Sequence, residues 1–138
     1  DPNSPTVPIA STPNDNPLSK RVCGGNNVKC GSAHKARAHV CATLINSLSR
    51  TSSNVPQSPQ SICQDVQDSD GWKKCCVSWA DPVPWGTAQR FQLTNAAWKV
   101  YDTCMGTIQT VSGRTRDTLI GDTCTAQCLS DRPDGCAW

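Results

Sequence analysis

The residues best suited by type to move protons or hold a metal are His34 and His39, and the short acidic run Asp65, Asp68 and Asp70. If both histidines share a helix, five residues turn it by about 140°, which places them on different faces. Paired metal ligands use a spacing of four or three instead. The same separation keeps them from serving one substrate as the proton-transfer pair of a ribonuclease. Glycosidase chemistry needs two facing carboxylates. The three aspartates fall in a polar stretch ending at Gly71, where Asp commonly makes turns. No serine has a nucleophile-elbow setting. The expectation is a protein without a catalytic residue, metal or cofactor.

Cysteine is the other residue type with chemistry of its own. There are ten in 138 residues: Cys23, Cys30, Cys41, Cys63, Cys75, Cys76, Cys104, Cys124, Cys128 and Cys136. Their number is even, and the paired CxxC motifs of a zinc site are missing; a lone CxxxC (Cys124, Cys128) has no matching second half. Five disulfides in an extracellular protein account for the set, leaving no thiol as nucleophile. Connectivity cannot be read from spacing, with one exception. If Cys75 and Cys76 lie on a strand, their side chains point to opposite faces, so one should bridge toward a helix layer and the other toward the far face. A bond between the two neighbours is rejected on geometry.

These residues need elements to position them. Gly24 to Asn27 reads as a turn cluster. Ser32 reads as a cap for a helix over 33–49, with Ala36, Val40, Leu44 and Leu48 in an apolar stripe beside Cys41 and Ile45. Cys41 is then expected to tie that helix to the sheet. Residues 50–60 are a polar loop leading to a short apolar segment at Ile62-Cys63. Residues 72–80 read as a strand, 81–86 as a stiff Pro-rich loop, and 95–104 as a second helix stopped by Gly106. Three strands follow, over 107–111, 115–120 and 124–129, with turns at 112–114 and Gly121-Asp122. Residues 130–136 form a closing turn pinned by Cys136. The predicted fold class is α+β: an antiparallel β-sheet with two helices packed on it, stapled by five disulfides.

Two regions are distinguished: a Pro-rich N-terminal arm, 1–21, and a disulfide-rich domain, 22–138. The arm carries Pro2, Pro5, Pro8, Pro13 and Pro17, with only Val7, Ile9 and Leu18 as apolar anchors. It reads either as a flexible tail or as a segment laid on its own body or on a second subunit, the latter giving a homodimer. Lys20-Arg21 closes it as a dibasic pair of the kind that is processed. Any secretion signal is expected to have been removed ahead of Asp1. There is no Glu at all, and the formal net charge is +2 with the basic residues scattered along the chain, which does not point to nucleic acid. No apolar run is long enough to span a bilayer. Five of the seven aromatic residues are Trp. Trp79 and Trp98 fall in regular elements and are expected in the core. Trp85, between Pro84 and Gly86, is a candidate surface contact, with folding back over a sheet edge as its structural alternative.

The stretches Val22-Cys-Gly-Gly, Cys75-Cys76-Val-Ser-Trp79 and Gln127-Cys-Leu-Ser-Asp-Arg-Pro-Asp-Gly-Cys136, around a helix carrying Cys41, resemble the small secreted cysteine-rich proteins of filamentous fungi, in particular the Trichoderma small secreted protein type. The resemblance covers roughly 22–138 and implies an effector or elicitor perceived by a host plant, with no catalytic motif to carry over. A fainter resemblance is to the killer toxins of smut fungi, which act on calcium channels. The leading expectation is a secreted, non-enzymatic protein that binds an unidentified plant or fungal cell-surface component. The alternatives are a toxin-like channel or growth inhibitor, for which Lys73 and Lys74 are the nearest candidate contacts, and a small secreted hydrolase.

Overall fold

A computed structural model describes residues 23–132 and Cys136. The arm over 1–21, the homodimer contact assigned to it, and Trp138 lie outside the described residues. In chain order the elements are β1 (Asn27–Cys30), β2 (Ala36–Arg37), α1 (Ala38–Ser49), β3 (Ser61–Asp68), β4 (Gly71–Trp79), α2 (Thr94–Cys104), β5 (Thr110–Val111), β6 (Gly113–Ile120) and β7 (Thr123–Ser130), with a 3₁₀ turn Arg90–Leu93 leading into α2. Five strands form one sheet in the order β1-β6-β7-β4-β3, every neighbouring pair antiparallel. Both helices pack on the same face and touch each other. The fold is α+β, as the sequence indicated.

The period-two pattern of β4 sets the layers. Cys75, Val77 and Trp79 point into the helix layer, where they meet Val40, Cys41, Leu44 and Ile45 of α1 and Val100 of α2. Trp79 is fully buried, and burying a side chain of this size contributes roughly 3 kcal/mol. Trp98 packs on this core from a half-buried position, edge-on to Tyr101 with 5.1 Å between ring centroids. Gln127 of β7 donates from Nε2 to the Leu93 carbonyl at 2.9 Å, tying the 3₁₀ turn to the sheet.

The disulfides join Cys23–Cys124, Cys30–Cys104, Cys41–Cys75, Cys63–Cys76 and Cys128–Cys136. Cys75 reaches the helix layer through Cys41. Cys76, on the far face, bridges to Cys63, its direct partner across the β3–β4 ladder. The adjacent pair therefore divides between the two faces of the sheet.

Five local expectations are corrected. The first helix begins at Ala38, not Ala33, and Ser32 does not cap it; Arg37, in extended conformation and without a side-chain cap bond, stands at its start. Residues 31–37 instead form a strap across the end of the sheet. The Gly31 amide donates to the Ser112 carbonyl at 2.8 Å, and the Ser112 hydroxyl to the Ala33 carbonyl at 2.7 Å. His34 has φ +56°, and Ala36–Arg37 pairs with Thr110–Val111. None of this is compatible with a helix.

The stretch holding Asp65 and Asp68 is strand β3 rather than a loop, with only Asp70 in the two-residue turn to β4. As an edge strand it needs few apolar residues, and Ile62 and Val66 alone pack on the core. Asn27 likewise belongs to a strand, the opposite edge. Finally, 107–111 is strand only at Thr110–Val111, and Gly113 and Arg114 of the turn expected at 112–114 open β6. Gly113 sits there because a Cβ would come within 2.8 Å of both Cys104 Sγ and Val100 Cγ1. It is a close-packing glycine, not a turn glycine.

Candidate functional site

Strand β7 ends at Ser130, opposite Cys76, whereas β4 continues back to Gly71. The N-terminal half of β4 is therefore paired with β3 on one side only, and the strap passes its open side. Between them lies a groove of about 550 Å³ lined by Lys35, Ala36, Arg37, Trp72, Lys73, Lys74 and Asp131. Trp72 and Lys74 share the strand face directed away from the helices, and Lys73 points to the other. Trp72 is 68% exposed, more than Trp85 at 62%.

The cations of the groove are partly held. Arg37 Nη2 lies 2.9 Å from Asp70 Oδ2, Lys73 Nζ donates to the Asp70 carbonyl at 3.3 Å, and Lys74 Nζ stands 4.0 Å from Asp65 Oδ1. Lys35 has no carboxylate within ion-pair distance among the described residues. Asp68 orders the β3–β4 turn by accepting from the Asp70 amide at 2.8 Å. The acidic run thus braces the turn and the cations around it, and it does not form a facing pair.

The histidines are not brought together. Only His39 is on α1, with Nε2 3.7 Å from Asp68 Oδ2; His34 is on the strap, with Nδ1 3.7 Å from Asp131 Oδ1. Among the described residues no three His, Cys, Asp or Glu side chains cluster as a metal site. Of the three surface-contact candidates, Lys73 and Lys74 lie in the groove, and Trp85 does not. Trp85 stands in the Pro-rich loop, outside this lining, while its neighbour Val83 is fully buried and anchors the loop. Trp72 escaped the sequence reading. Its signal was its spacing of two from Lys74 on a strand, which puts an aromatic ring and an ammonium on one exposed face.

The Fungal WD-like family model matches residues 9–136. The chain belongs to this fungal family. No curated protein and no solved structure matches it. The family match runs from within the arm through Cys136, so it takes in the strap, the groove and nine further cysteines as one unit. No helix among the described residues is long and apolar enough to cross a membrane, and five disulfides fit an extracellular protein.

Proposed function

We propose that this member of the fungal family is a secreted effector or elicitor that acts by binding at a plant or fungal surface, not by catalysis, after the manner of the small secreted proteins of Trichoderma. The observation that carries this reading is the groove in which exposed Trp72 stands among Lys35, Arg37, Lys73 and Lys74. Aromatic and cationic side chains are the residues that anchor recognition surfaces. Here they sit on a sheet made rigid by disulfides, so little ordering cost attends binding. The pure protein, infiltrated into leaves or applied to roots, is expected to raise defence responses, and the Trp72→Ala/Lys74→Glu variant to raise none. Silence of the unaltered protein across several hosts would sink the reading.

The position of Lys73 and Lys74 in the same groove supports a second reading, a toxin-like growth inhibitor. In that case reversing both charges abolishes inhibition of fungal growth. The N-terminal arm is proposed to join two copies as a homodimer. Light scattering should then give twice the chain mass, falling to one when residues 1–19 are deleted.

A further inference from the structure

The groove has a neighbour. Along the first half of the strap lies a second groove, of about 390 Å³, lined by Lys29, Cys30, Gly31, Ser32, Ala33, His34, Arg114 and Arg132. The two share their border: His34 lines one and Lys35 the other, Arg132 lines one and Asp131 the other. His34 of one lining and Asp131 of the other stand 3.7 Å apart, which puts the two grooves side by side. We infer that the two grooves form one continuous track for a linear polyuronate, an anionic polysaccharide carrying a carboxylate on each sugar. This rests on the reading that the Trp72 groove is the binding surface.

Charge is the first argument. Lys29, Arg114 and Arg132 line one groove and Lys35, Arg37, Lys73 and Lys74 the other, while among the described residues Asp131 is the sole carboxylate in either lining. Asp70 and Asp65 at the rim offset Arg37 and Lys74 in part, and the seven cations still outnumber these carboxylates and Asp131, which leaves the strip positive. Lys29 and Lys35 are exposed and have no carboxylate within ion-pair distance among the described residues. Arg114 Nε is buried without a hydrogen-bond partner, a donor that a carboxylate oxygen could satisfy.

The shape and lining choose among anions. Among the described residues Trp72 is the one aromatic in the track, enough to stack a sugar ring at one end. A single-stranded nucleic acid uses a succession of aromatic platforms, which are missing here. Among the described residues the apolar lining is confined to Trp72, two alanines and Cys30, so an acidic peptide would find no pockets there for alternate side chains. A polyuronate needs none. It presents carboxylates at regular intervals and has no apolar side chain to place. Cys30, which lines the second groove, is held in place by its bond to Cys104.

Calorimetry on the full chain tests this, with a long oligouronate, a di-uronate, a neutral oligosaccharide of equal length, polyglutamate and single-stranded DNA of matched charge as probes. Lys29→Glu and Lys74→Glu, in different grooves, should each weaken the long oligouronate about tenfold. Lys29→Glu should leave the di-uronate unaffected if it stacks on Trp72. Circular dichroism verifies that both variants fold. The track is overturned if the long oligouronate fails to bind, if it ignores Lys29→Glu, or if polyglutamate or DNA binds as tightly. Should Trp72→Ala/Lys74→Glu abolish the defence response while no uronate binds, the groove stands as the site and only its ligand is wrong. If the defence response survives that variant, the functional reading itself fails.

Discussion

His34 and Asp131 clasp the strap to the end of β7 through two contacts. The Asp131 amide donates to the His34 carbonyl at 3.0 Å, and His34 Nδ1 faces Asp131 Oδ1 at 3.7 Å. The backbone bond fixes where the strap crosses the sheet, and so where the cations on either side of it stand. The side-chain contact lies between solvent-exposed groups, 47% and 45% exposed, and is an ion pair only when His34 is protonated.

Removing the charge of Asp131 therefore affects binding more than folding. Asp131→Asn keeps the hydrogen bond from its amide to the His34 carbonyl and deletes the single carboxylate that the described residues give the two linings. The variant should elute from a polyanion column at higher salt than the unaltered chain. Its unfolding free energy should fall by less than about 1 kcal/mol, as expected for a surface pair. Elution at lower salt would show that Asp131 supports the cations rather than opposing the ligand.

The two bridges from the adjacent cysteines separate in energy. Cys41–Cys75 spans 34 residues and Cys63–Cys76 spans 13. The longer loop constrains the unfolded chain more, by about 1 kcal/mol in the chain-entropy account. Cys41 and Cys75 are also both fully buried, between helix and sheet. Denaturant titration should therefore show Cys41→Ala/Cys75→Ala losing more stability than Cys63→Ala/Cys76→Ala. The reverse order would mean that the β3–β4 edge, not the helix–sheet joint, limits unfolding.

How far the sequence reveals this molecule depends on how locally each feature is encoded. The stripe from Val40 to Leu48 and the alternation through Cys75, Val77 and Trp79 are local, and both lie in the helix and strand expected of them, although α1 begins five residues later. Ala36 kept its place in the buried stripe without being helical, because its backbone is claimed by Val111 across a bridge of distant residues. Edge strands β1 and β3 were obscured by Asn, Gln and Asp, which are tolerated where one side of a strand meets water. The groove was only half legible. Lys73 and Lys74 are adjacent in sequence, but Lys35, Lys29, Arg114 and Arg132 come together through the strap. Cations scattered along the chain are gathered by topology, and no composition or spacing records that.

The two exposed tryptophans should part company in function. Trp72→Ala removes the ring from the groove and is expected to abolish surface binding, whereas Trp85→Ala, outside the lining, should retain it. Both side chains are largely exposed, so each variant should stay within about 0.5 kcal/mol of the unaltered stability. Cell-wall pull-down with the two variants side by side makes the comparison. Loss with Trp85→Ala and retention with Trp72→Ala would move the site to the Pro-rich loop.

Gly113 offers a test of the packing that holds β6 against α2. A methyl group there would lie 2.8 Å from Cys104 Sγ and Val100 Cγ1 and 3.1 Å from the Lys29 carbonyl. Neither the disulfide to Cys30 nor the β1 backbone is free to give way. Gly113→Ala should therefore cost about 1–3 kcal/mol, as overpacking in a tight core does. Gly106→Ala is the control, since its added carbon would meet only the Thr110 carbonyl, at an ordinary 3.9 Å. Thermal melts of the pair should show a clear drop for the first and little change for the second. Because Lys29 borders Gly113 and lines the second groove, the displaced β1 should also weaken long-oligouronate binding in Gly113→Ala. Stability lost without that weakening would place the strain on the α2 side alone.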